Sequence, residues 1–312
     1  MEARRSILFR VKEAGGAMSL FEQLVGLALL LFAIWFGWWR WIRPYRKGLD
    51  RQGVGMLMLA VLAVTGGFLG SPFWWIDDPN SFSWTLPPLA GRLLGAAGFA
   101  FGVIGCYALE QKQQRLVRSY AVMIAVYLLP LVAAILLFHL DRFNWHAAIT
   151  YAFFIIAGGM PASAVWHLAR GTTLGELFRD AEAGPISAVV RIWLWLVATA
   201  AGLWGLAMFV YPSGTLRQIW VWPQDPLTSR LIATMLLTIC AAALLALRSA
   251  AQARMSLWMF VIYGLGAVLA CFWNLVAGSP IPTAYTGAFC TLTVISFALL
   301  MTQHGVSGSA TR

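Results

Sequence analysis

The chain has 312 residues, 60% of them hydrophobic and only 11% charged, with a formal charge of +10. A soluble domain of this length needs far more polar residues to cover its surface, so composition points to an all-α, polytopic membrane protein. The positive charge does not imply nucleic acid, because the basic residues sit mostly at the ends of apolar runs, where they meet the headgroups of the lipid bilayer.

Residues 1–19 are a basic extension with Arg4, Arg5, Arg10 and Lys12, and Met18 offers an alternative start. The first apolar run, 20–42, has no small-residue cleavage site and ends in WWRWIRPYRK. That pattern fits an uncleaved anchor, so 20–53 reads as a leader helix with a basic loop. Further runs fall near 54–73, 87–109, 118–139, 145–167, 189–211, 227–247, 256–277 and 281–303. Each is about 20 residues, long enough to cross a hydrocarbon core. The expectation is about nine transmembrane helices: the leader, then two four-helix repeats at 54–167 and 189–304. An amphipathic connection, 168–188, joins the repeats, and 305–312 is a tail.

The repeat rests on a stretch that occurs twice. Residues 84–93 and 222–231 share Trp84/Trp222, Pro88/Pro226, Leu89/Leu227, Arg92/Arg230 and Leu93/Leu231. Ala108-Leu109 and Gln114 recur as Ala246-Leu247 and Gln252, and Arg118 with Tyr127 recurs as Arg254 with Tyr263. A four-helix unit returns the chain to its starting side, so the copies should run parallel about an axis along the membrane normal.

Loop charge gives orientation. Loops near 43–53, 110–118, 168–187 and 248–254 carry half of the arginines and lysines, and the alternate loops are poor in them. The basic side is expected to be cytoplasmic. That places the N-terminus outside and the C-terminus inside the inner membrane of a bacterial-type cell. The basic residues before Met18 run against this. The connections 73–86 and 211–226 hold Trp74, Trp75, Trp84, Trp220 and Trp222, and are expected to lie along the outer interface. In 168–187, Thr173-x-x-Glu176 and the face Leu174, Leu177, Phe178 predict a short interfacial helix.

The sharpest candidates for chemistry are Arg92 and Arg230. Each lies about one turn into its helix, where the positive end of the dipole disfavours a cation, so Asp77, Asp78 and Asp225 are expected to compensate. One reading is a pair facing an outward vestibule and gripping an anionic substrate group. The plainer and preferred reading is snorkelling to lipid phosphate, or an ion pair within the loop.

His139 and His146 flank one turn, and His167 and His304 end the last helix of each repeat. Two imidazoles at one depth are what a haem needs, but interfacial histidine is the ordinary reading. The four cysteines lack paired spacing and read as small buried hydrophobes.

No carboxylate lies mid-span, as proton-coupled carriers require. Asn274 is the best isolated polar residue. Gly66-Gly67, Pro130 and Gly158-Gly159 with Pro161 interrupt spans, and packing is preferred over broken helices for them. HExxH, GxSxG, P-loop and zinc-spaced cysteine motifs are missing, and Asp77-Asp78 reads as a loop turn. No metal and no catalysis are expected.

Three readings follow. The first is a non-catalytic scaffold, membrane-complex subunit or lipidic-ligand binder with membrane-protein partners. The second is a permease for a small anionic or amphiphilic substrate, using Arg92 and Arg230. The third is a haem-binding redox subunit.

Overall fold

Backbone amides in hydrocarbon have no water to pair with, so a long apolar run must close its hydrogen bonds within a helix. A computed structural model of the chain has this form. It describes residues 20–78, 81–82, 84–180, 184–216, 218–280 and 282–307, with side chains undescribed at 20–23, 177 and 303–307. The long helices are α1 Leu20–Gly37, α2 Arg51–Trp75, α3 Pro88–Glu110, α4 Gln114–Phe138 and α5 Ala148–Ala169. They continue with α6 Ala188–Val210, α7 Pro226–Ala246, α8 Ala250–Val276 and α9 Thr283–Ser307. Among the described residues there are no strands, and nine helices are long and apolar enough to span a membrane.

Local signals place the ends. Asp50, Ser187, Asp225 and Ser249 accept from the backbone N–H groups of Gly53, Val190, Thr228 and Gln252, capping α2, α6, α7 and α8. Pro88 and Pro226 open α3 and α7, where a missing N–H costs nothing. α8 stops at Gly278, which takes a positive φ of 79°. There Ser279 N donates to Asn274 O and Gly278 N to Leu275 O, satisfying carbonyls that the helix leaves open. α4 and α5 run unbroken through Pro130 and Pro161.

The most extensive contacts are the sequential pairs α2–α3, α6–α7, α8–α9 and α4–α5, together with the long-range pairs α3–α8 and α4–α7. α3, α7 and α8 are the best-covered helices. Their windows are 61–67% buried, against 17% for α1 and 22% for α5, so the leader and α5 lie at the periphery. α1 rests on α2 at Gly37 and Val61. The turn after α1 is tied to the end of α3, where Glu110 accepts from Arg40 Nη2 at 2.7 Å and Trp41 Nε1 at 2.9 Å.

Small residues set these approaches. A Cβ on Gly67 would meet Gly98 O at 2.5 Å, and one on Gly95 would meet Ser71 O at 2.9 Å. Gly205 approaches Ala233 O, and Gly264 approaches Phe289 O. Gly66, Gly158 and Gly159 have nothing within 4 Å, so only part of the glycine signal marks packing.

Two sequence expectations change. Among its described residues the connection after α5 forms no α-helix. Gly175 takes φ 69°, and a 3-10 turn, Glu176–Phe178, follows. Glu176 pairs with Arg179, while Leu174 and Phe178 are buried, Phe178 edge-on to Tyr45. The expected capping box is not formed, since Gly175 stands at the cap without a side-chain hydrogen bond, and Leu174 and Phe178 are spent on the protein rather than the interface.

Trp84 and Trp222 also do not turn their indoles outward. They are 6% and 8% exposed. Trp84 stands among Phe82, Phe143 and Phe153, and Trp222 lies edge-on to Tyr285.

Neighbouring glycines give opposite expectations. Gly67→Ala should cost about 1–3 kcal/mol, because its methyl meets backbone. Gly66→Ala should be neutral or stabilising by up to about 1 kcal/mol. Unfolding of both variants in detergent checks this, and equal effects would contradict the α2–α3 contact.

Candidate functional site

The chain ends of α2, α4, α6 and α8 and the starts of α3, α5, α7 and α9 share one end of the bundle, and Arg92 and Arg230 lie there. The structure gives them different surroundings.

Arg230 is engaged by its own chain. Its Nη1 donates to His139 Nε2 at 2.6 Å, its Nε to Phe209 O at 3.3 Å, and its guanidinium lies 4.7 Å from the Phe138 ring centroid. Phe138 and His139 close α4, and Phe209 lies in the last turn of α6. The guanidinium therefore meets the negative ends of two neighbouring helices, which offset the positive end of its own. Asp225, the expected counter-charge, acts elsewhere. It caps α7, accepting from Thr228 N at 3.4 Å and Thr228 Oγ1 at 2.6 Å, and pairs with Arg142 at 3.6 Å.

An arginine only donates, so His139 Nε2 accepts and the imidazole is neutral, with its proton on Nδ1. Burial first, and then the Arg230 charge, hold the His139 pKa below its ordinary value.

Arg92 is buried, at 9% exposure, yet its Nε and Nη1 have no hydrogen-bond partner among the described residues. The guanidinium carbon lies 5.9 Å from the ring centroid of Trp273, in the last turns of α8. Asp77 Oδ1 stands 3.9 Å from the Cβ position of the preceding Gly91. Among the described residues the other buried side-chain atoms without a partner are Trp84 Nε1, Gln113 Oε1 and Trp204 Nε1. Arg92 is the charged member of that set.

The partners of Arg92 and Arg230 have no residue in common. One guanidinium meets the end of α8, the other the ends of α4 and α6. Two grooves on the described surface can be compared with these sites. One, of about 640 Å³, runs along Leu203, Leu206 and Val210 to Tyr211, Leu216 and Trp220. The other, of about 400 Å³, is lined by Trp39, Arg40, Arg43 and Pro44. Neither is lined by Arg92 or Arg230.

The histidines are dispersed. His146 is exposed, in the turn before α5, and its backbone N–H donates to Asn144 Oδ1 at 3.1 Å. His167 is at the opposite end of the bundle, its Nδ1 3.3 Å from Thr172 Oγ1, and that hydroxyl also reaches Gln52. The His304 side chain lies outside the described residues. An iron seeking His139 would have to displace Arg230 from Nε2. Among the described residues no three His, Cys, Asp or Glu side chains cluster to hold a metal ion. Asn274 Nδ2 donates to Pro280 O within its own turn.

Inside the spans, buried hydroxyls close on backbone or on other side chains. Thr234 donates to Leu231 O, Thr238 to Thr234 O and Ser256 to Ala242 O, while Ser296 accepts from Trp193 Nε1. Gln252, the expected counterpart of Gln114, donates to Ser119 Oγ at 2.7 Å across α8 and α4. Gln114 instead accepts from Leu174 N at 2.8 Å.

Phe138 and Phe209, the supports of Arg230, were not identified in the sequence. They are apolar helix-end residues, and only the α4–α7 and α6–α7 pairings give them a role.

No protein family, no curated protein and no solved structure matches this chain.

Arg230→Gln should cost about 1–3 kcal/mol, the scale of buried groups losing their partner, read as a lower unfolding midpoint in detergent. A second expectation concerns pH. The folded chain binds a proton at His139 less readily than the unfolded chain, so this contribution is complete above about 6.5 and is lost as pH falls toward the lowered folded pKa. Wild type should therefore lose stability relative to His139→Gln on acidification through that window. A gap independent of pH would contradict the neutral, accepting imidazole.

Proposed function

We propose that this chain is a non-catalytic integral membrane protein that serves as a scaffold or subunit of a larger membrane assembly. The observation that carries the reading is the closure of buried span hydroxyls on the chain itself. The hydroxyls of Thr234, Thr238, Ser256 and Ser296 are spent on the chain's own groups, and no carboxylate sits mid-span. A carrier needs polar groups at mid-depth that are available to its cargo.

Two four-helix repeats build the body in this proposal. Its support is the recurrence of residues 84–93 at 222–231, together with matched pairings. α2–α3 corresponds to α6–α7, α4–α5 to α8–α9, and α3–α8 to α7–α4. Loop charge supports a cytoplasmic basic end, with the N-terminus outside and the C-terminus inside a bacterial-type inner membrane. Partners are membrane proteins and lipid rather than nucleic acid.

Native electrophoresis of gently solubilised membranes, run beside the purified chain, tests the assembly. The chain should migrate in a larger species than it forms alone, and vesicles reconstituted with it should take up chloride or phosphate no faster than protein-free vesicles. Migration identical to the purified chain, with Arg92- and Arg230-dependent anion uptake, would replace this reading with a permease.

A further inference from the structure

We propose that Arg92 forms a binding site for one anionic phosphate group at the start of α3. The inference stands apart from the assembly reading, since a chain that works alone could carry the same site.

The two arginine-bearing ends differ in what they supply for themselves. At α7 the chain supplies a carboxylate cap from Asp225 and gives Arg230 two acceptors, Phe209 O and His139 Nε2. At α3 Pro87 occupies the cap position and supplies no side-chain cap. Arg92 is nine-tenths buried, with Nε and Nη1 unpartnered. A helix start already favours an anion, and a guanidinium that has lost its water needs acceptors. The first end is complete within the chain, whereas the second, with Asp77 nearby, still leaves Nε and Nη1 of a buried guanidinium without an acceptor among the described residues.

Depth and surroundings narrow the ligand. Arg92 is four residues beyond Pro88, about 6 Å along the helix. A side chain there points back toward the helix start, the depth at which lipid phosphates lie if the helix spans. Trp273 gives the guanidinium an aromatic face at 5.9 Å. Asp77, near Gly91, keeps the end from being strongly positive. The anion is therefore held by directional hydrogen bonds from guanidinium to phosphate oxygens. A lipid phosphodiester and free phosphate share this chemistry.

The test titrates the full-length protein, in an uncharged detergent, and follows tryptophan fluorescence, which Trp273 ties to the site. Short-chain phosphatidylglycerol, the matching diacylglycerol without phosphate, and inorganic phosphate are the three probes. Saturable binding of a phosphate-bearing probe is expected, with none for diacylglycerol. Arg92→Gln should weaken it at least about tenfold, the scale of a charge-assisted hydrogen bond, while Arg248→Gln at the other end should leave it unchanged. Competition by inorganic phosphate would identify a soluble anion as a possible occupant, and its failure to compete would identify the lipid headgroup. Equal binding of diacylglycerol, no saturable binding of either phosphate probe, or undiminished binding by Arg92→Gln would overturn the proposal. If Arg92→Gln does not fold, Arg92→Lys takes its place, and the wild-type dependence on phosphate still decides.

Discussion

Apolar side chains gain nothing by leaving lipid for protein, so a helical membrane bundle depends on how closely its backbones can approach. Here that closeness comes from glycine at chosen points. Gly67 and Gly95 bring α2 and α3 together, Gly205 does so for α6 and α7, and Gly264 for α8 and α9. Between the halves, Gly266 of α8 admits Ala96 of α3. Every other feature of the arginine-bearing end follows from these approaches, because they decide which helix ends become neighbours.

The cross-pairs α3–α8 and α4–α7 are the consequence with chemical content. They deliver Trp273 to Arg92, and Phe138 with His139 to Arg230. A cation near the start of its own helix is poorly placed, yet beside the end of another helix it is well placed. Arg230 has this arrangement in full, and its guanidinium works as a staple between α6, α7 and α4. Arg92 has the same position without the same acceptors. Similar sequence at two places has produced two different electrostatic states.

Much of the fold was legible. Apolar runs located each span to within a few residues, since span length is fixed by geometry alone. Gly67 and Gly66 show where legibility stopped: adjacent, identical in type, and opposite in surroundings. Arg92 and Arg230 were identified from their position in a repeated stretch, but the compensation expected from Asp225 was wrong. Short-range spacing favours a nearby carboxylate, whereas Asp225 spends itself on Thr228 and Arg142. The actual partners lie 21 and 91 positions away, and no periodicity encodes such contacts. The tryptophans show a related limit. Indole favours the interface in general, but Trp84 and Trp222 face packed aromatic neighbours, Phe82 of the same connection and Tyr285 of α9.

The central claim is that α3 packs on α8 and thereby joins the two halves. Disulfide trapping tests it most directly. In a chain with Cys106, Cys240, Cys271 and Cys290 replaced by alanine, Ala96→Cys and Gly266→Cys should crosslink under mild oxidation. The Cβ position of Gly266 lies against the Ala96 Cβ, and a small adjustment reaches bonding distance. Gly66→Cys paired with Gly266→Cys should stay reduced, because Gly66 faces open space. An Ala96–Gly266 pair that remains reduced, in a chain that is folded by the same measure as wild type, would contradict the account.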